Sequence, residues 1–258
     1  MKIVRFETDK LPAFGVIEGD KVRELKIGPF ETEFSVKSPV FNNKAFDISK
    51  VKLLAPCQPS KYLGVGLNFA ESAKILGMPV PDNPVLFMKP TTSIIGPGDN
   101  IIIPQGEVTI VFEGELALVI GKTAKQVPEK DALDYILGCT CTNDVSDVSK
   151  FEPDKGNPTR IKGPDTFGPI GPCIDTTVNP ENRFIKTWVN EELRQEGNTK
   201  DLIFGIRFLV HYFSSFMTLL PGDIIATGTP PGASPVSAGD VIKVEVEGVG
   251  VLKNRMSD

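Results

Sequence analysis

The run Val108-Thr-Ile-Val-Phe-Glu113-Gly-Glu115-Leu-Ala-Leu-Val-Ile120 sets two acids inside an otherwise apolar, β-forming segment. Side chains alternate between the two faces of a strand, so Glu113 and Glu115 point the same way, with Cα atoms roughly 7 Å apart. Phe112, Gly114, Leu116, Leu118 and Ile120 take the other face. Side-by-side carboxylates among apolar neighbours repel each other and lose solvation. A shared hard cation removes both penalties, and Mg²⁺ or Ca²⁺ prefers such an all-oxygen shell. The plainer alternative is a half-exposed strand whose polar face carries two acids.

At 258 residues, the chain is long enough for one large domain or two small ones with a substantial core. A net charge of -5 argues against nucleic acid or an anionic membrane surface as the partner. The 24 Gly and 22 Pro point to many turns, hence to β structure. Cys57, Cys139, Cys141 and Cys173 form no zinc-type spacing and read as reduced, buried thiols. No apolar run approaches the ~18 residues of a membrane span, and the first residues alternate like a strand without a signal-peptide core. The expectation is a cytoplasmic protein.

Residues 1–50 read as short strands, with Glu18-Gly-Asp20 as a hairpin turn, and the composition shifts near residue 51. The expected division is a small β-rich N-terminal domain, 1–50, and a larger body, 51–258. Within the body a turn signal recurs at Pro97-Gly-Asp99, Pro221-Gly-Asp223 and Ala238-Gly-Asp240, each time ahead of β-branched residues. Helices are few. Phe69–Leu76 and Glu129–Tyr135 are short candidates, and the clearest runs from Thr199 to about Leu219, capped by Asn198 or Thr199. His211, the only histidine, lies on it and reads as structural. Lys89, before a proline at a strand end, could border the site, but a lysine there is more often solvated and is read so. Trp188 reads as a cross-strand packing residue, and Glu191–Glu196 as a solvated hairpin arm.

Further polar groups join the opening pair. Thr140-Cys-Thr-Asn143-Asp144 reads as a strand ending in polar residues, and Asp144 at that end can reach the same cation. Thr159-Arg-Ile-Lys162-Gly-Pro-Asp165 supplies a cation in a turn-rich loop. Ala226-Thr-Gly228-Thr229-Pro-Pro-Gly232 follows a strand with backbone and hydroxyl donors suited to a carboxylate.

In this order these segments resemble the fumarylacetoacetate hydrolase family, over roughly residues 51–255. The resemblance takes in Leu53-Leu-Ala-Pro56, Lys61-Tyr-Leu-Gly-Val-Gly-Leu-Asn68-Phe69-Ala70, Pro84-Val-Leu-Phe-Met-Lys89-Pro90 and Phe112-Glu-Gly-Glu115-Leu-Ala. It continues through Asn143-Asp144-Val-Ser146, Lys162 ahead of Asp165, Trp188-Val-Asn190 and Leu220-Pro-Gly-Asp-Ile-Ile-Ala-Thr227-Gly-Thr-Pro-Pro-Gly232. It implies a mixed, β-rich fold (a rolled sheet with few helices), a homodimer, and one Mg²⁺, Mn²⁺ or Ca²⁺ held by Glu113, Glu115 and Asp144. By the same resemblance Lys162 stands at the active-site lysine and Thr229 at the threonine that binds a substrate carboxylate. Gly228, Asn68 and Lys150 join Thr229 as candidate substrate contacts. The implied substrates are small 2-oxo or 1,3-dicarbonyl acids, undergoing C–C hydrolysis, decarboxylation, or keto–enol or double-bond isomerisation.

The departures bear on reaction type. Hydrolytic members usually read Asn-Tyr-Ala-Asp-His, with a glutamate three residues later, a dyad that activates water. Here Asn68-Phe-Ala-Glu71-Ser72-Ala-Lys74-Ile75 puts Ser72 and Ile75 at those two positions. After Asp144, the family's substrate-contacting arginine and glutamine are replaced by Val148 and Phe151. The leading expectation is enolate chemistry without water attack: tautomerisation, isomerisation or decarboxylation. One alternative is a hydrolase whose base has shifted to Glu71 or Lys74. Another is a catalytically silent protein that keeps the metal cup and ligand loop.

Overall fold

The structure is a computed structural model and describes residues 1–8 and 11–258. Among these residues β strands dominate, as expected, and they form three sheets. The largest has twelve strands, and its central path brings Lys2–Thr8, Gly168–Asp175, Ile136–Asn143, Gly114–Ile120, Ile224–Ala226, Tyr62–Gly66 and Val85–Lys89 side by side. A five-stranded sheet comprises Glu192–Asn198, Phe184–Val189, Val241–Val246, Gly250–Ser257 and Asn100–Ile102. A two-stranded ribbon pairs Ile110–Val111 with Ser146–Asp147.

The first strands are continuous with the large sheet. Lys2–Thr8 pairs with Leu11–Glu18 on one side, and with Gly168–Asp175 and Lys52–Leu54 on the other. The hairpin expected at Glu18-Gly-Asp20 forms, with Gly19 at φ 61°, a left-handed conformation that glycine adopts without steric cost.

Gly114–Ile120 is buried on both faces, which removes the half-exposed reading of the opening segment. Its alternation is as expected. Phe112, Leu116, Leu118 and Ile120 enter a core shared with Ile185, Val244 and Leu252 of the five-stranded sheet. Ala117 and Val119 face a second cluster with Ile3, Ile174 and Ile224. Gly114 lies where the two sheets touch, and a Cβ there would stand 2.0 Å from Thr187 Oγ1.

The strand is not continuous across the acids, however. It breaks at Phe112–Glu113 between the ribbon and the large sheet. The cause is side-chain capture of the backbone. Glu113 N–H donates to Asn143 Oδ1 (2.9 Å), and Gly114 N–H to Gln195 Oε1 (3.0 Å). Asp144 N–H then closes onto Glu113 C=O (2.8 Å).

The long helix is also shorter than expected. Thr199–Asp201 is one 3₁₀ turn capped by Asn198, and the α-helix proper is Ile206–Phe216. Between them Asn68 takes the backbone, accepting from Phe204 N–H and donating to Phe204 C=O. A side chain that offers such partners competes with helix formation. Glu129–Tyr135 is 3₁₀ throughout, and Ala70–Ile75 is a short α-helix followed by Gly77 at φ 65°. His211 Nδ1 lies 2.7 Å from Val127 C=O, a structural contact.

The three Gly-Asp turns share one construction. Gly98, Gly222 and Gly239 have φ of 80°, 89° and 91°. The following aspartate reaches back three residues, accepting from Gly96, Leu220 and Ser237 N–H respectively. Asp223 does most, because it is fully buried and also accepts from Ser60 N–H, Ser60 Oγ and Lys61 N–H while pairing with Lys61 Nζ at 2.6 Å. It thereby fixes the start of Ile224–Ala226, the strand that delivers the Thr227–Thr229 loop. Asp223→Ala is expected to lower stability by about 3–5 kcal/mol in urea unfolding, since buried donors and a lysine lose their partner. Asp240→Ala, at a solvent-lined turn, is expected to cost about 1 kcal/mol.

Candidate metal and substrate site

Glu113, Glu115 and Asp144 converge where the central strands end. Their ligand oxygens all lie within 4.8 Å of one another. Glu113 lies in the strand break, Glu115 is the second residue of Gly114–Ile120, and Asp144 immediately follows Ile136–Asn143. The Glu115 and Asp144 side chains are buried, while that of Glu113 keeps 20% exposure, which marks the open side of the cluster.

Two lysines meet these acids. Lys162 ends the short helix Pro158–Lys162, which starts at an Asn157 cap onto Thr159 N–H. Its Nζ lies 2.7 Å from Glu113 Oε2 and 2.5 Å from Asp144 Oδ2, over the Phe87 ring. Lys89 is the second, and here the sequence expectation is corrected. It is not solvated: its side chain is fully buried, with Nζ 2.7 Å from Asp144 Oδ1. It also donates to Val145 C=O (2.8 Å) and Lys162 C=O (2.9 Å). The signal was present in the alternation of Val85–Lys89, which puts Lys89 on the buried face of Phe87.

The electrostatics follow from burial and these partners. Burial drives the Glu115 carboxyl well above the usual carboxylate range, and the Asp144 and Glu113 charges add to the shift. Glu113 is raised by burial against the pull of Lys162. Burial also works to raise Asp144, but Lys162 and Lys89 outweigh it and hold it below its ordinary value. Desolvation brings Lys89 down to about 8 against the attraction of Asp144. Lys162 loses solvation too, yet Asp144 and Glu113 keep it above the ordinary lysine range.

With all three carboxyls ionised, the cluster carries one negative charge more than its two ammonium groups balance, and without a cation burial pushes Glu115 toward its protonated form. Asp144 Oδ1 has Lys89 beside it but no hydrogen bond, and Glu115 accepts only one, from Gly228 N–H (2.7 Å), among the described residues. Buried anionic oxygens with spare lone pairs are the donor set a hard divalent cation takes, so these residues fit one.

Beside the acids lies the Thr227–Thr229 loop. Gly228 has φ 109°, and a Cβ there would stand 2.6 Å from Asn68 Cβ, so the position demands glycine. Thr229 Oγ1 donates to Gly114 C=O (2.9 Å) and accepts from Gln195 Nε2 (2.7 Å). Asn68 is committed to backbone at every polar atom, donating to Thr227 C=O (2.7 Å) and Phe204 C=O (3.0 Å). It supports the loop and is not free for a substrate.

Two other expected residues are not brought to the acids. Glu71 is exposed and makes no hydrogen bond or ion pair among the described residues. Ser72, on the same helix, faces the loop through Oγ to Thr229 C=O at 3.3 Å. Lys150 contacts Asp147 Oδ2 (3.4 Å) and Glu107 C=O (3.1 Å) and lines an open groove of about 660 Å³ with Thr109 and Arg160. The reason is the strand period: Ser146 bonds Glu113 Oε1 (2.9 Å), so its neighbour Asp147, with Lys150, takes the opposite face. Gln195 escaped notice because it lies in the charged stretch Glu191–Glu196. Most of that arm is part of the strand Glu192–Asn198, in which Gln195 and Asn198 are buried.

A β-rich body with clustered acids, a lysine and a glycine-threonine loop at one sheet end defines a class of acid-processing enzymes. Residues 61–257 match the family described as fumarylacetoacetate (FAA) hydrolase C-terminal, and residues 1–56 match one described as Rv2993c-like, N-terminal. The chain belongs to the fumarylacetoacetate hydrolase family and is an enzyme. Protein Rv2993c of Mycobacterium tuberculosis is 40% identical over 264 residues, covering 98% of this chain and 97% of that protein. The crystal structure of 5-carboxymethyl-2-hydroxymuconate delta-isomerase from Mycobacterium smegmatis is 40% identical with a TM-score of 0.91, covering 100% and 99% of the two chains. Maleylpyruvate hydrolase from Sphingobium sp. SYK-6, in complex with manganese(II) and pyruvate, is 28% identical with a TM-score of 0.81 and the same coverage. Among the described residues no helix is long and apolar enough to cross a membrane.

If Lys89 belongs to the buried cluster, Lys89→Met should cost about 3–5 kcal/mol in metal-free denaturant unfolding, because Asp144 loses a counter-charge. Lys150→Met should cost less than about 1 kcal/mol, because Lys150 is partly exposed and buried Asp147 still accepts from Thr109 N–H, Ser149 N–H and Ser149 Oγ. Equal costs would contradict the assignment.

Proposed function

We propose that this protein is a divalent-metal-dependent enzyme that converts a small 2-oxo acid through its enolate, as a keto–enol or double-bond isomerase, with decarboxylation available through the same enolate. The observation that carries this reading is the pairing of a buried three-carboxylate cup and Lys162 with a helix Ala70–Ile75 that offers no water-activating group. Glu71 and Lys74 are exposed, and Ile75 is 66% exposed.

Glu113, Glu115 and Asp144 would hold the ion, for which Mg²⁺ suits the all-oxygen donors, with Mn²⁺ or Ca²⁺ as substitutes. When bound, it supplies a Lewis acid that stabilises negative charge on the 2-oxo oxygen. The formal charges then explain the substrate class. Three carboxylates, two ammoniums and a divalent cation sum to a single positive charge, which one carboxylate neutralises. The Thr229 loop would receive that carboxylate through N–H and hydroxyl donors. Lys162, held protonated by Asp144 and Glu113, would deliver the proton to the carbon beside the oxo group.

The test follows enol absorbance of oxaloacetate-like acids with and without Mg²⁺. Wild type should show a metal-dependent rate, and Lys162→Met should lower kcat by about 10²–10⁴-fold while Mg²⁺ still raises the melting temperature. Glu115→Gln should lose both responses. A wild type with no metal-dependent rate, or pyruvate release from an acylpyruvate that is lost on Glu71→Gln, would overturn the reading in favour of hydrolysis.

A further inference from the structure

Gln195 is almost completely buried in a strand whose neighbours Leu193 and Glu196 are exposed. The strand is bulged at this point. Thr187 pairs with Gln195 and Trp188 with Leu193, so Arg194 is the extra residue. A bulge re-aims the side chain beside it and is common next to active sites. Here it turns Gln195 from the five-stranded sheet into the seam with the large sheet.

The carboxamide is used completely and in one orientation. Its Oε1 accepts from Gly114 N–H (3.0 Å), between the two glutamates of the candidate cup. Its Nε2 donates to Thr229 Oγ1 (2.7 Å) and to Pro230 C=O (2.7 Å). The Gly114 donor and the Pro230 acceptor allow no flip of the amide. The surrounding packing is as tight as glycine permits. A Cβ on Gly232 would stand 1.9 Å from Arg194 C=O, and one on Gly197 would stand 2.5 Å from Pro230 Cβ. The 228–232 loop is thus laid directly on the strand that carries Gln195.

One consequence follows from donor and acceptor counting. Because Gln195 Nε2 donates to Thr229 Oγ1, the single hydroxyl proton of Thr229 must point elsewhere. In this structure it points to Gly114 C=O. A carboxylate entering the loop competes for that proton, and as a charged acceptor it makes the stronger bond.

We propose that Gln195 is a positioning residue for the substrate carboxylate: it orients the Thr229 hydroxyl as a donor and sets the Thr229–Pro230 loop against the Glu113–Glu115 segment. This rests on the reading of the loop as a carboxylate site. Pre-set donors of this kind raise affinity by removing the cost of ordering them on binding.

Oxalate binding to the Mg²⁺-loaded protein, followed by calorimetry, tests it. Gln195→Met keeps the volume and removes both hydrogen-bonding ends, and should weaken oxalate about tenfold, the worth of one bond to a charged group. Mg²⁺ affinity without oxalate should move less than about threefold, since Gln195 touches no carboxylate of the cup. Thr229→Val should weaken oxalate by a similar factor, and the double variant should be no worse than either single one, because both remove the same donor. If Gln195→Met does not fold, Gln195→Asn keeps the amide but is too short to span both partners, and should show the same loss. Wild-type oxalate affinity in the Gln195 variants, an equal loss of Mg²⁺ affinity, or effects that multiply in the double variant would overturn the inference alone. A wild type that does not bind oxalate with Mg²⁺ would overturn the carboxylate reading as well.

Discussion

Mutual repulsion among three buried carboxylates is the constraint on which the rest of this structure depends. Glu113, Glu115 and Asp144 sit within a few ångströms of each other and keep little solvent. Such a cluster is tolerable only if surrounding groups return the lost solvation and balance the charge. Lys162 and Lys89 return part of it, from opposite sides of Asp144. Ser146, Gly228 N–H and Lys162 supply what hydrogen bonding the acids receive, and Lys89 adds its charge. With all three carboxyls ionised a net negative charge still remains, and a divalent cation is the natural complement.

The fold is organised to hold that cluster in place. The strand break at Glu113 is created by Asn143 and Asp144 from one segment and Gln195 from another, each taking one backbone group near the acids. The opposing wall is set at a distance by Asp223, which fixes the turn before Ile224–Ala226, and by Asn68, which holds Thr227. Glycines occur where neighbours crowd these bonds: a Cβ would meet Thr187 Oγ1 at Gly114, Asn68 Cβ at Gly228 and the Arg194 carbonyl at Gly232.

Much of this was legible in the sequence, and the parts that were not have a common cause. The alternation around Glu113 and Glu115, the polar end at Asp144 and the Gly-Asp turns are local patterns, and local physics decided them. Lys89 was misread because a lysine before proline is ordinarily solvated, and only contact with Asp144, 55 residues away in sequence, makes its burial tolerable. Gln195 was hidden in a charged stretch, its inward turn set by a bulge that no spacing rule reveals. The long helix was overextended because Asn68, far upstream, takes the backbone of Phe204. Asn68 and Lys150 were drawn toward a substrate role by their neighbours in sequence, whereas their partners in space commit them to backbone and to the opposite face. In each case a long-range polar partner overrode the local pattern.

If one divalent ion balances the charge of this cluster, anomalous scattering from a crystal of the protein grown with Mn²⁺ should reveal it. One peak is expected, bounded by the carboxylates of Glu113, Glu115 and Asp144, with the Lys162 ammonium no longer bridging Glu113 and Asp144. A crystal with no peak there, and Lys162 still seated between those two acids, would contradict it.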